Sequence, residues 1–261
     1  RGLGMRIGVL EMSQAPHILF VTGEYPPMAG GVGAYTRALA QALVALDVRA
    51  SVLTSTAAGP QRVEDGVTVH PRVRRWRWKA VKQAASLAQE IGADWVHVQY
   101  QTAAFQMKPA INVAPATWRS QGLNVAWTYH DLRFPYLFPK IGDGIRQSIN
   151  LLPLRGADIV ITTDPSDREL LVHQRDDVLT IPIGSNIPAL SISEAERAAR
   201  RQARGYGPDD LVVGYFGFLN RSKGGLTLIR ALHRLVQARP DMHLLMIGEQ
   251  VGASDLSNDA Y

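Results

Sequence analysis

Three short stretches carry residue types that could do chemistry. In "EYPPMAGGVGAYTRAL", residues 24–39, two prolines and three glycines follow an apolar run, and a helix pattern begins at once. Glycines at a strand end let the backbone turn tightly and come close to a ligand. A helix starting there aims free N–H groups and its positive dipole end at the same spot. Gly30, Gly31 and that helix start therefore read as a site for an anion or a sugar's polar edge; glycines serving only a turn are the plain alternative. In "AWTYHDL", residues 126–132, His130 ends another apolar run. Its ring can donate a hydrogen bond to a hydroxyl or a phosphate oxygen, although a His130–Asp131 pair that caps a loop is the simpler account. In "FLNRSKGG", residues 218–225, Arg221 and Lys223 stand beside a second glycine pair. Cations there can neutralise a leaving anion; two solvated loop cations are the alternative.

These stretches sit at the ends of short apolar runs that alternate with helix-period segments. The runs are 17–22, 49–54, 94–100, 123–129 and 157–162, each apolar on both faces as buried parallel strands are. Between them lie helical patterns such as 32–46, where Val32, Tyr35, Leu39, Ala42, Leu43 and Leu46 share a face. The alternation predicts an α/β domain, a Rossmann-like parallel sheet flanked by helices. It ends in a short strand and a Pro/Gly/Ser/Asn turn at 178–187. In 191–210, Ser193 caps a predicted helix with Glu194 and Glu196 in its first turn, and Gly205, Gly207 and Pro208 stop it. A second α/β unit follows: strand 211–219, helix 224–240, strand 242–248. Residues 1–188 are thus expected to form one Rossmann-like domain, with 1–15 resembling a leader or tag. Residues 189–261 are expected to be a linker and the first βαβ part of an incomplete second domain, since one such unit cannot bury both faces of its sheet.

Composition narrows the function. No segment of the 261 residues approaches a membrane span. There is no cysteine, which excludes disulfides and thiolate metal sites and fits a cytoplasmic location. The net charge of +5 is local: residues 72–82, "RVRRWRWKAVK", hold six basic residues and no acid. Cations interleaved with Trp76 and Trp78 suit an anionic membrane surface; a basic solvated rim is the other account. Nucleic acid is disfavoured, because no recognition module accompanies the charge. A nicotinamide cofactor is disfavoured too: the G-x-G-x-x-G pattern fails at Thr36, and no acid follows the second strand at Thr54.

The ordered motifs resemble glycosyltransferase family 4, the retaining enzymes of the two-domain GT-B fold. "YPPMAGGVGAYTRALAQAL" resembles its first loop and helix, and "DWVHVQYQ", "AWTYHDL", "ADIVITTDPSDRELL", "TIPIGSNI" and "VVGYFGFLNRSKGGLTLIRAL" follow in the expected order, over about residues 17 to 248. The resemblance implies a nucleotide-diphosphate-sugar donor approached by Gly30 and Gly31, with His130 near the reacting centre. His97 is expected to support the strand. Arg221 and Lys223 would neutralise the leaving diphosphate, and no cofactor or metal is implied. The acceptor would be a sugar, a lipid-linked molecule or a small molecule, and peripheral membrane contact through 72–82 is part of the expectation. Two departures stand out. Phe218 replaces an arginine usual in the family, and no Glu-x7-Glu pair occurs anywhere in the chain. The chain is therefore expected to be a fragment that does not catalyse by itself. A non-catalytic GT-B relative that binds a sugar, a lipid or a partner is the alternative, and a Rossmann oxidoreductase a weaker third.

Overall fold

A computed structural model describes residues 15–132, 142–185, 187, 189–217 and 223–248. The chain divides into two compact units, Arg1–Gly184 and Ser185–Tyr261. In the first, the elements run β1 (His17–Thr22), α1 (Gly31–Val44), β2 (Arg49–Ser55), β3 (Arg62–Glu64), β4 (Val67–Val73), α2 (Trp78–Glu90), β5 (Trp95–Tyr100), a 3-10 helix (Pro109–Val113), α3 (Ala114–Arg119), β6 (Asn124–Tyr129), α4 (Asp143–Gly156), β7 (Ile159–Thr162), α5 (Pro165–Leu171) and β8 (Leu179–Thr180).

The strands form one sheet in the order β3-β4-β2-β1-β5-β6-β7-β8, parallel except for β3. The chain leaves β1 to build one half of the sheet, then returns to β1's other side to build the rest. The reversal falls between β1 and β5, so their carboxyl ends flank the crevice where open α/β sheets bind ligands.

Alternating side chains send the strands' residues to two faces. On one, Phe20, Val52 and Val69 pack with Ala40, Leu39 and Leu43 of α1. On the other, Leu19, Val21, Val98, Trp127 and Tyr129 pack with the alanine-rich face of α2 and with Trp118 and Leu154. A buried polar hub ties α4 to this second face. The Tyr100 hydroxyl donates to Asn150 Oδ1 at 2.6 Å, and the Tyr129 hydroxyl to the Asn150 carbonyl at 2.7 Å.

Residues 62–73, given no element from the sequence, form a hairpin whose turn residues, Asp65 and Gly66, have φ of 47° and 79°. Such a pair matches the right-handed twist of flanking strands. Helix α1 ends at Val44, because Val48 N–H turns back to the Leu43 carbonyl, leaving Leu46 exposed instead of on the buried face. Trp76 does not face solvent: it is 1 % exposed and meets Phe105 edge-on at 4.7 Å, whereas Trp78 is 59 % exposed.

The second unit holds α6 (Glu194–Gln202), β9 (Leu211–Phe216), α7 (Gly225–Leu235) and β10 (Met242–Ile247). Ser193 caps α6 as expected, its Oγ accepting from Glu196 N–H, and the Glu196 carboxylate accepts in return from Ser193 N–H, which completes a capping box. Strands β9 and β10 pair in parallel, with Leu211 opposite Met242 and Phe216 opposite Ile247.

Candidate functional site

The site is built from the carboxyl ends of β1, β5 and β6 and the start of α1. Where β1 ends, Gly23 lies against the backbone of Ala104 and Phe105, which would overlap a side chain there. The Thr22 hydroxyl donates to the Glu24 carbonyl at 2.9 Å. That bond helps turn the Glu24 side chain inward, where it is 4 % exposed.

Glu24 Oε1 then accepts from the Val32 and Gly33 amides at 3.1 and 3.3 Å. The anion at this helix start is therefore the protein's own carboxylate. This corrects the expectation of a bare amide nest: a buried carboxylate needs donors, and free amides of the first helical turn supply them. Burial holds the Glu24 carboxyl above its usual range, and the two amides pull it part of the way back.

The glycines take different roles around it. A Cβ on Gly30 would overlap the Glu24 carboxylate, and one on Gly33 would press on the Glu24 and Tyr25 backbone. Gly31 is exposed, and nothing lies within 4 Å of where its Cβ would be. Gly30 is thus required by the protein's interior. Gly31 is the glycine a ligand can approach.

His130 continues β6, its N–H donating to the Tyr100 carbonyl at 2.9 Å. Its ring packs edge-on against Tyr35 of α1, centroids 4.9 Å apart, and Nε2 lies 2.8 Å from Gln99 Oε1. Since that partner is a carbonyl oxygen, Nε2 carries the proton and donates. Burial pushes the His130 pKa down to about 4, so the ring is neutral near pH 7 and Nδ1 is an acceptor. In that tautomer the ring offers an acceptor, not a donor, at its other nitrogen. Nε2–H is committed to Gln99, and a hydroxyl would donate to Nδ1.

His97 lies two residues before Gln99 on the same face. Its Nε2 is 2.8 Å from the Thr128 hydroxyl, and its ring is 5.3 Å from that of Phe20. Burial, with His130 nearby, lowers its pKa to about 4 as well. It supports the strand, as its position in the run suggested. His97, Gln99, Thr128 and His130 together form a polar stripe on the α1 side of the sheet. The stripe was not apparent from sequence; its one signal is polar residues at alternate positions of two neighbouring apolar runs.

Lys223 belongs to the second unit, one residue before Gly224, whose φ of 73° shapes the turn into α7. Arg221 and Phe218 lie outside the described residues. The structure therefore brings Gly30, Gly31 and His130 to one sheet edge through α1.

An open parallel sheet with a glycine loop at its switch point is common to many α/β proteins, the domains of GT-B proteins among them. Residues 29–187 match the model of glycosyltransferase family 4, and the chain belongs to that family. Among solved structures it is similar to HepE of Anabaena in complex with UDP and glucose, at 19 % identity and a TM-score of 0.61, covering 90 % of this chain and 61 % of that one. It is also similar to a glycosyltransferase from Rickettsia africae, at 15 % identity and TM-score 0.60, covering 94 % and 70 % of the two chains. A UDP-forming α,α-trehalose-phosphate synthase from Burkholderia vietnamiensis follows at 13 % identity and TM-score 0.58, covering 94 % and 66 %. These likenesses are of fold, and the chain spans 61 % of the length of HepE. No curated protein matches the sequence.

Two outcomes follow from this geometry. Gly30→Ala pushes the Glu24 carboxylate off its amides and lowers stability by about 1–3 kcal/mol, whereas Gly31→Ala stays within about 0.5 kcal/mol; urea unfolding distinguishes them, and equal losses contradict the assignment. The second concerns acid. His97 and His130 hold folded pKa values of about 4 against 6.5 for a free histidine. Between those values the unfolded chain binds more protons, so stability is full above the free value and falls as pH drops towards the folded one. His17 and His70, also held low by burial, add to the slope. Unfolding free energy is expected to fall by on the order of 4 kcal/mol between neutral pH and about pH 5, and by about half as much in His97→Gln; a flat profile contradicts it.

Proposed function

We propose that the chain belongs to a retaining glycosyltransferase that moves a hexosyl group from a nucleotide-diphosphate-sugar to an acceptor. The observation that carries the reading is the pairing, at the sheet's switch point, of an open glycine with a neutral histidine whose ring is fixed by Gln99. The Gly31 amide offers a hydrogen bond to donor oxygens without a side chain in the way. His130 Nδ1 accepts from a sugar hydroxyl, orienting the sugar without protonating it.

Residues 1–188 take the acceptor role and residues 189–261 begin the nucleotide-sugar domain. Lys223, with Arg221, neutralises charge on the departing diphosphate, so the catalysis proposed is electrostatic. It calls on no metal ion, cofactor or nucleic acid. HepE's structure in complex with UDP and glucose supports a nucleotide-sugar as the partner. A cytoplasmic location, and a peripheral membrane contact through 72–82 for a lipid-linked acceptor, belong to the same proposal. No described helix is long and apolar enough to cross a membrane.

In a protein carrying this whole chain, release of nucleoside diphosphate from a panel of nucleotide-sugars is expected, with His130→Ala and Lys223→Ala each slowing turnover roughly a hundredfold. Nucleotide-sugar binding without turnover on any acceptor points instead to a non-catalytic relative, the reading that Phe218 in place of the family's arginine favours. Neither binding nor turnover ends both.

A further inference from the structure

A second surface lies on the other face of the sheet, away from α1. Trp78 opens α2, and Ile149 and Leu152 lie on α4. Together they line a groove of about 380 Å³ whose floor includes Trp76 and Pro109. Trp78 is 59 %, Ile145 60 % and Leu152 38 % exposed. Ile145, Ile149 and Leu152 recur at helical spacing, so α4 turns a continuous aliphatic stripe outward beside an exposed indole. Contiguous exposed apolar surface of this kind marks an interaction site.

Cations rim the groove. Arg74, Arg75, Arg77 and Lys79 line an adjoining hollow of about 490 Å³. Arg72 in the same hollow is paired with Glu90 at 3.0 Å, but no ion pair among the described residues involves the other four. The Trp76–Phe105 contact fixes the loop that carries them.

We infer that this surface seats the protein on an anionic phospholipid bilayer, with Trp78 and the α4 stripe at the acyl boundary and Arg74, Arg75, Arg77 and Lys79 among the lipid phosphates. An acidic peptide or a nucleic acid would use the cations and leave the aliphatic groove wet. A bilayer matches both layers together, since indoles prefer the interface and clustered cations are drawn to anionic headgroups. The inference deepens the membrane contact proposed above by giving it a second wall, α4, and a direction. Helix α2 follows the carboxyl end of β4, and α4 is the crossover helix leaving β6. Both helices therefore start at the same sheet edge as His130 and Gly31. Bound this way, the bilayer lies towards the edge that holds the candidate site.

The test is co-sedimentation of the chain with phosphatidylcholine vesicles, with and without phosphatidylglycerol, together with tryptophan emission. Binding is expected only with the anionic lipid and with a shift of emission to shorter wavelength. Trp78→Ser and Arg75→Glu/Lys79→Glu should each weaken it about tenfold or more, with circular dichroism unchanged because these side chains are exposed. Absence of binding overturns the inference. So does binding that Trp78→Ser leaves untouched with emission unshifted, which would be charge adhesion that heparin could equally satisfy. The assay reads lipid binding alone, so its failure leaves the glycosyl-transfer reading standing, and a protein that binds vesicles but transfers no sugar leaves this one standing.

Discussion

The loop after β1 is organised around one buried carboxylate. Glu24 leaves water only because the Val32 and Gly33 amides meet it at the start of α1. That pairing dictates its neighbours. Gly30 has no room for a side chain because the carboxylate is there, and Gly33 none because the chain crosses close by. The helix dipole is answered internally, and the glycine of the loop that is left open is Gly31. An anion site inferred from free helical amides becomes a narrower opening with one amide and open space.

Opposite that opening, the sheet supplies neutral polar groups in place of charge. His130 and His97 are held uncharged by burial, and each ring is fixed by a side chain on the neighbouring strand, Gln99 for one and Thr128 for the other. The register places Gln99 beside Thr128, and His97 beside Ala126, so the stripe follows from strand pairing alone. In the proposed function, a sugar hydroxyl meeting His130 Nδ1 would find a fixed neutral acceptor. The positive charge that the proposed chemistry needs is left to Lys223 and Arg221. On the far face, Tyr100, Asn150 and Tyr129 lock α4 against the sheet, which keeps the α4 stripe turned towards Trp78.

Much of the fold was legible because parallel strands buried on both faces read as apolar runs and their crossovers as helical periods. The Ser193 cap was legible because it is local. The hairpin at 62–73 has a local signal, Asp65-Gly66 before the alternating Val67-Thr68-Val69, but Arg62-Val63-Glu64 is too short and charged to stand out as an apolar run. What sequence could not supply was every fact that needs a distant neighbour. Glu24 is eight residues from Val32, and nothing in "GEYPPMAGGV" says that its side chain folds back. Trp76 and Trp78 look alike in "RRWRW", yet Phe105 claims one and leaves the other exposed. The α4 stripe gains meaning only beside Trp78, about seventy residues earlier.

The central claim is that Glu24, and not a ligand, occupies the first amides of α1. A crystal structure of the chain soaked with a nucleoside diphosphate tests it most directly. The account predicts that Glu24 stays on the Val32 and Gly33 amides while ligand oxygens approach Gly31 and His130 Nδ1. Phosphate oxygens on those two amides, with the Glu24 side chain swung out, would contradict it.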